Sequence, residues 1–297
     1  MVQEWTKRDV AAVLQVPTAA DDKYSRGVLG MHTGSAAYPG AAVLGVQGAW
    51  RTGVGLVRYT GVAGSVVLAQ RPETVAVAGR VQAWVIGSGM DASGIVGVEA
   101  EALTDILDRD QPVVVDAGAL ELAVGARCPL IVTPHAREHA RLRAALGLPD
   151  LPDDAVRDGA VPDDAVPDEA VRETARVLGG LVVAKGARTV IADPGGWCVS
   201  VQSGTPWLAT AGTGDVLAGV IGAVVAGAVA RDGAASLGGP VAAGVWLHGR
   251  AATLAATRYG SAGAPITAMD VAEHLPQAVA EVLAEQSLSG GGAGRIG

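Results

Sequence analysis

Short uninterrupted apolar runs recur along the chain, and each stops at a glycine or a functional side chain. Residues 81–86 end in Gly87-Ser88-Gly89, residues 112–115 in Asp116-Ala117-Gly118, residues 130–132 in Thr133-Pro134-His135, and residues 181–184 in Lys185-Gly186. Runs of this length and composition predict strands buried on both faces, and ligands in open parallel sheets gather outside the carboxyl ends of such strands. Four ends carrying Gly-Ser-Gly, Asp, His and Lys imply a shared cleft. Residues 188–192 and 197–201 flank Asp193-Pro194-Gly195-Gly196 and predict an antiparallel ribbon at the sheet edge, near Lys185. Residues 23–31 form a basic, glycine-punctuated loop entering a further strand closed by Thr33-Gly34-Ser35. Longer apolar stretches predict helices over residues 41–51, 169–178, 216–230, 240–259 and 269–285. Pro39 and Gly53 suit the two ends of the first, and Thr267-Ala268-Met269-Asp270 gives the last a capping box with Asp in place of Glu. A short surface helix is expected within residues 1–22. The alternation predicts an α/β fold, a mainly parallel central sheet with helices on both faces.

The chemistry is expected at residues 208–219, Leu-Ala-Thr-Ala-Gly-Thr-Gly-Asp-Val-Leu-Ala-Gly, where a glycine-rich turn runs into the apolar helix. Gly212 and Gly214 permit positive φ and close ligand approach, so main-chain N–H groups point into one concave spot. The dipole and free amides of a helix start make that spot an anion site suited to phosphate. Asp215 stands out there, because a carboxylate weakens anion binding unless it accepts a proton from an attacking hydroxyl or helps hold Mg²⁺. Asp also caps helices, and Gly-Thr-Gly-Asp alone leaves both uses open. At the 41–51 helix, the small residues Gly40, Ala41 and Ala42 admit either a ligand or tight helix–sheet packing.

Composition narrows the function. A chain of 297 residues, 49% hydrophobic, buries a large core, and with 3% aromatics, no Phe and 42 glycines that core is Val, Ala and Leu packed close to backbone. A net charge of −8 argues against a general nucleic-acid binder. Cys128 and Cys198 lack metal-ligand spacing, which predicts a reduced cytoplasmic protein without a zinc site. No signal peptide is read at the start, and residues 216–230 fall short of the roughly 20 a bilayer requires, so no membrane association is expected. Residues 148–169 read as an acidic, Pro-punctuated surface loop and residues 287–297 as a disordered Gly/Ser-rich tail, leaving residues 1–286 as one domain. His248 is expected to be a partly buried structural histidine.

Six motifs occur in order: Tyr38-Pro39-Gly40-Ala41-Ala42, Arg51-Thr52-Gly53-Val54-Gly55-Leu56-Val57, Val115-Asp116-Ala117-Gly118-Ala119-Leu120, Thr133-Pro134-His135, Lys185-Gly186-Ala187-Arg188-Thr189-Val190-Ile191, and residues 209–219. Together they resemble the ADP-dependent NAD(P)H-hydrate dehydratases, of ribokinase-like fold, over about residues 23–285. The resemblance implies removal of water from the S epimer of hydrated NADH or NADPH, coupled to conversion of ADP (with ATP as the alternative) to AMP and phosphate, with Mg²⁺. It implies that Ala41 or Ala42, Gly89, His135 and Asp215 contact the hydrated dinucleotide. Lys185, Gly186, Ala187, Arg188 and Thr189, with Gly214, would hold the adenine nucleotide, while Asp215 deprotonates the hydroxyl and amides of 212–214 offset phosphoryl charge. No metal ligand is assigned. After His135 the chain reads Ala136-Arg137-Glu138 where many relatives have Pro-Gly-Glu, and residues 23–27 also depart from the usual pattern. An epimerase is expected as a separate protein, and a homo-oligomer, often a tetramer among relatives, is expected in solution. The rival readings are a ribokinase-like kinase of the thiazole or pyridoxal type and a non-catalytic nucleotide-binding module.

Overall fold

The apolar runs become the strands of one sheet. A computed structural model describes residues 2–151 and 166–290. Most of the expected acidic loop, and residues 291–297 of the expected tail, lie outside the described residues. The strands are β1 (Gln3–Glu4), β2 (Val28–His32), β3 (Leu56–Tyr59), β4 (Ala83–Ile86), β5 (Val113–Val115), β6 (Leu130–Val132), β7 (Leu181–Ala184), β8 (Thr189–Ala192) and β9 (Cys198–Val201). They pair in the order β1-β9-β8-β7-β6-β5-β4-β2-β3. Every pairing is parallel except β7 with β8 and β8 with β9, which form the expected ribbon. Two-residue β1 adds parallel to β9, so the ribbon is not itself the sheet edge.

Successive side chains in a strand point to opposite faces, and both faces here are covered. Leu29, Met31, Val85, Val114 and Ile131 join a core with α2 (Pro39–Thr52), α7 (Thr213–Asp232), α8 (Gly238–Thr257) and α9 (Ala268–Gly290). Val28, Trp84, Ile86, Val113, Val115 and Val132 face the other way, onto α4 (Val98–Leu107), α5 (Ala136–Ala145) and α6 (Asp168–Leu178). The short helices α1 (Lys7–Val13) and α3 (Gly64–Gln70) complete the set. Continuous hydrophobicity without alternation, as in Val113–Val115, is the signature of such two-sided burial.

Helix α7 sets the geometry of the site. It crosses α2 at backbone distance: a β-carbon on Gly219 would fall 2.0 Å from the Gly45 carbonyl oxygen, and one on Gly48 2.6 Å from that of Val216. This contact fixes the first turn of α7 above the strand ends. The helix is 20 residues long, starting at Thr213 and reaching Asp232, longer than the 216–230 run read from sequence. By length and composition it is able to span a bilayer, yet 72% of its apolar window is buried inside the protein, which is the pattern of a core helix. Helix α9 reaches Gly290, so residues 287–290 continue a helix where a disordered tail was expected; the run Ala284-Glu285-Gln286-Ser287-Leu288 contains no Gly or Pro to stop it at residue 285. The capping box is as expected, with Asp270 Oδ2 accepting from Thr267 N and Oγ1, both at 2.7 Å.

Candidate active site

Because β2, β4, β5, β6 and β7 run parallel, their carboxyl ends lie along one edge. The residues that follow them converge. Asp116, after β5, accepts from Thr133 Oγ1 at 2.7 Å and Lys185 Nζ at 2.8 Å through Oδ1, and from Ser88 Oγ at 2.9 Å through Oδ2. Its carboxyl is buried, which opposes ionisation, but the Lys185 charge and the three hydrogen bonds prevail and hold it below the usual carboxylate range. Lys185 lies 3.7 Å from Glu138 Oε2, and burial, which would discharge it, is outweighed by Asp116, Glu138 and Asp215, so its pKa is raised. The backbone of Lys185 bonds to Pro134 O at 2.8 Å, bridging the β6 and β7 ends and bringing His135 alongside.

His135 is the N-cap of α5. Its Nδ1 accepts from the N–H groups of Arg137 (3.2 Å) and Glu138 (3.4 Å), and Glu138 Oε2 accepts from His135 N at 2.8 Å. This reciprocal box orders the Ala136-Arg137-Glu138 segment, with Glu138 in the N3 position.

Above these ends begins α7. Gly212 is its N-cap at φ +88°, the left-handed conformation expected. Gly214 differs from expectation: it has no positive φ and belongs to the first helical turn. Its smallness serves approach, since a β-carbon there would sit 3.9 Å from Lys185 Nζ. Asp215 is therefore the third helical residue and not the cap, and its carboxylate accepts no hydrogen bond from the described residues. Burial, then the negative charge of Asp116, push its pKa up to about 6 against the pull of Lys185. An unpaired carboxylate of that proton affinity, beside a lysine and a turn of free amides, is suited to accept a proton near neutral pH.

Beside it opens a cleft of about 530 Å³ whose lining includes His135, Lys185, Gly186, Ala187, Thr189 and Gly214, with Leu208, Leu217 and Val245 giving an apolar wall. Arg188 does not line it; its guanidinium is paired with Asp168 at 2.6 and 3.2 Å. The remaining predicted residues gather at the β2 and β4 ends. Gly89, at φ +69°, packs so closely that an added β-carbon would lie 2.3 Å from Ala41 Cβ, and Gly34 is similarly set against Ala42. Ala42 is fully buried and Ala41 nearly so, so tight packing accounts for their smallness. His248 is buried in α8, and burial pushes its pKa down to about 4, as suits a neutral structural histidine. Asp116, which the sequence placed among the strand ends of the shared cleft without a role of its own, is the centre of this network with Ser88, Thr133 and Lys185, and Glu138, which the sequence did not single out, joins it through Lys185.

A family model described as NAD(P)H-hydrate dehydratase matches residues 29–277. The chain belongs to this family. A bifunctional NAD(P)H-hydrate repair enzyme of Mycobacterium leprae is 41% identical over 92% of the chain and 55% of the relative. The chain thus spans about half the length of such mycobacterial relatives. An ADP-dependent (S)-NAD(P)H-hydrate dehydratase of Neisseria meningitidis is 34% identical, over 76% of each chain. Among solved structures, the Bacillus subtilis ADP/ATP-dependent NAD(P)H-hydrate dehydratase, co-crystallised with ATP and Mg²⁺, superposes with a TM-score of 0.77 at 28% identity, covering 95% of this chain and 99% of that one. The dehydratase fold is ribokinase-like, as the sequence implied.

Proposed function

We propose that this chain restores NADH or NADPH from its S hydrate, converting ADP to AMP and phosphate. The observation that carries the proposal is Asp215: an unpaired carboxylate with its pKa at about 6, in the first turn of a helix whose Thr213 and Gly214 line the cleft holding Lys185. In this reading Lys185, Gly186, Ala187, Thr189 and Gly214, which line the cleft, form the nucleotide side. Ala41, Gly89 and His135 form the hydrate side, Ala42 being fully buried, with Asp215 between.

Asp215 takes the proton of the C6 hydroxyl as its oxygen attacks the terminal phosphorus of ADP; the bond to the AMP oxygen breaks and AMP leaves. Main-chain amides at Gly212–Gly214 and the Lys185 ammonium offset charge on the phosphoryl oxygens. The C6–O bond then breaks with phosphate leaving, driven by the ring nitrogen lone pair, and loss of a C5 proton restores the dihydronicotinamide. Phosphorylation converts hydroxide, a poor leaving group, into phosphate, a good one.

Among the described residues no three His, Cys, Asp or Glu side chains converge to hold a metal on their own. Magnesium ordinarily uses one or two carboxylates together with substrate phosphates and water. Asp215, an unengaged carboxylate on the helix turn beside the cleft, fits an ion delivered by the nucleotide, where Mg²⁺ would neutralise phosphate charge.

The test is incubation of hydrated NADH with ADP and Mg²⁺, following the return of reduced-nicotinamide absorbance and the appearance of AMP. Return of both in equal amounts is expected. A folded protein that regenerates no NADH with ADP or ATP, or that accumulates a phosphorylated alcohol, contradicts the proposal.

A further inference from the structure

Asp116 is 3% exposed, and the steps proposed above make no use of it. A carboxylate is kept in such a place only when it is paired and fully hydrogen-bonded. Its partners come from three neighbouring strand ends: Ser88 after β4, Thr133 after β6 and Lys185 after β7. The backbone around it is constrained as well. Ala117 has φ +48°, the one non-glycine positive φ among the described residues, and a β-carbon on Gly87 would fall 2.2 Å from the Asp116 carbonyl oxygen. Strain of this kind persists where surrounding structure enforces it, and it clusters at functional sites.

The consequence of the arrangement falls on Lys185. A lysine ammonium rides on a flexible four-carbon stem and has no fixed position of its own. Here it is held at 2.8 Å by Asp116 and 3.7 Å by Glu138, and it rests 3.9 Å from where a β-carbon would stand on Gly214. We propose that Asp116 is a positioning residue, clamping the Lys185 ammonium against the first turn of α7, where the phosphoryl group crosses from nucleotide to hydrate. The identity of that phosphoryl acceptor rests on the dehydratase reading; the clamp does not. The clamp also keeps the lysine charged, because burial alone would favour the free amine.

The chain has three lysines, Lys7, Lys23 and Lys185, so amine labelling reads the clamp directly. Wild-type and Asp116→Asn proteins, both checked for cooperative melting, are labelled with acetic anhydride at mildly alkaline pH and the sites quantified by mass spectrometry. Lys185 labelling, normalised to Lys7 and Lys23, is expected to rise severalfold in Asp116→Asn, because burial then favours the free amine with its nearest opposing carboxylate gone. In the same variant kcat is expected to fall by about 10²-fold, the scale for loss of one preorganised charge-stabilising group, with KM for the hydrate within about twofold. Unchanged Lys185 labelling, or unchanged kcat in an active enzyme, overturns the proposal. If the wild type shows no turnover yet labelling still rises, the clamp stands and the dehydratase reading fails. Should Asp116→Asn not fold, Thr133→Val removes one donor while leaving the charge; a smaller rise in labelling supports the clamp and no rise overturns it.

Discussion

The position of Asp215 depends on a helix crossing one turn away, and Gly219→Ala tests that dependence. The added methyl would lie 2.0 Å from Gly45 O, 2.8 Å from its carbonyl carbon and 3.1 Å from its Cα. All three are backbone atoms, so no rotamer change relieves them. Ordinary contact begins near 3.4 Å, so α2 and α7 must part by about 1.4 Å locally. Overpacking costs about 1–3 kcal/mol, and a backbone-on-backbone clash belongs at the upper end, about 3 kcal/mol. For a chain of 297 residues, at about 2.1 cal/mol/K of unfolding entropy per residue, that lowers Tm by roughly 5 °C. The displaced helix carries Gly212–Asp215, and a misplacement of about 1 Å in a reacting group costs on the order of 10²-fold in rate. Thermal melting followed by steady-state kcat measures both effects. Gly40→Ala, on α2 with nothing within 4 Å of its added carbon, serves as control and is expected to leave both nearly unchanged. A Gly219→Ala protein that melts within about 2 °C of wild type and keeps kcat within about twofold would refute the reasoning.

Further outcomes follow from the same geometry. Asp215 must be ionised to accept a proton, so kcat/KM is expected to climb as pH rises through about 6 and level off above it; a profile flat across that range contradicts its role as base. Its folded pKa lies above its unfolded value, so the folded state binds the proton more tightly and the ionised group is destabilising above about pH 6. Asp215→Asn is therefore expected to abolish turnover yet melt higher than wild type at pH 8, the difference shrinking as pH falls through about 6 towards 4. A lower melting point at pH 8 would contradict this. His135→Ala removes the acceptor for two first-turn amides of α5 and is expected to cost about 1 kcal/mol of stability, with a smaller loss of turnover than Asp215→Asn. Equal losses of turnover would place His135 at the proton transfer itself.

Elements buried on two faces were the most legible. Strands β6 and β7 fall on the residues marked by their apolar runs, and Gly53 ends α2 at φ +101° as its position indicated. Reading was weaker where the pattern carries no boundary. Helix α7 is apolar on every side, so periodicity gives no start, and its first turn, Thr213-Gly214-Asp215, looks like the loop that precedes it. Strand β1 has two exposed residues and exists through its pairing with β9. At the site, the glycine turn and the strand-end Lys and His were readable because each is an odd residue against its surroundings. The task of Asp116 was not, because it arises from Ser88, Thr133 and Lys185, each brought from a different strand. Arg188 reads, by resemblance, as part of the 185–189 run that would hold the adenine nucleotide; its pairing with Asp168 is a contact between distant segments that the sequence does not display.

The most direct measurement follows the oxygen that leaves. Hydrated NADH carrying a heavy oxygen isotope at the C6 hydroxyl is turned over with unlabelled ADP and Mg²⁺, and the phosphate is examined by mass spectrometry. Attack of that hydroxyl on phosphorus, assisted by Asp215, places the label in inorganic phosphate, one atom per NADH formed, and Asp215→Asn forms neither. Label released into water, with unlabelled phosphate, would contradict the account.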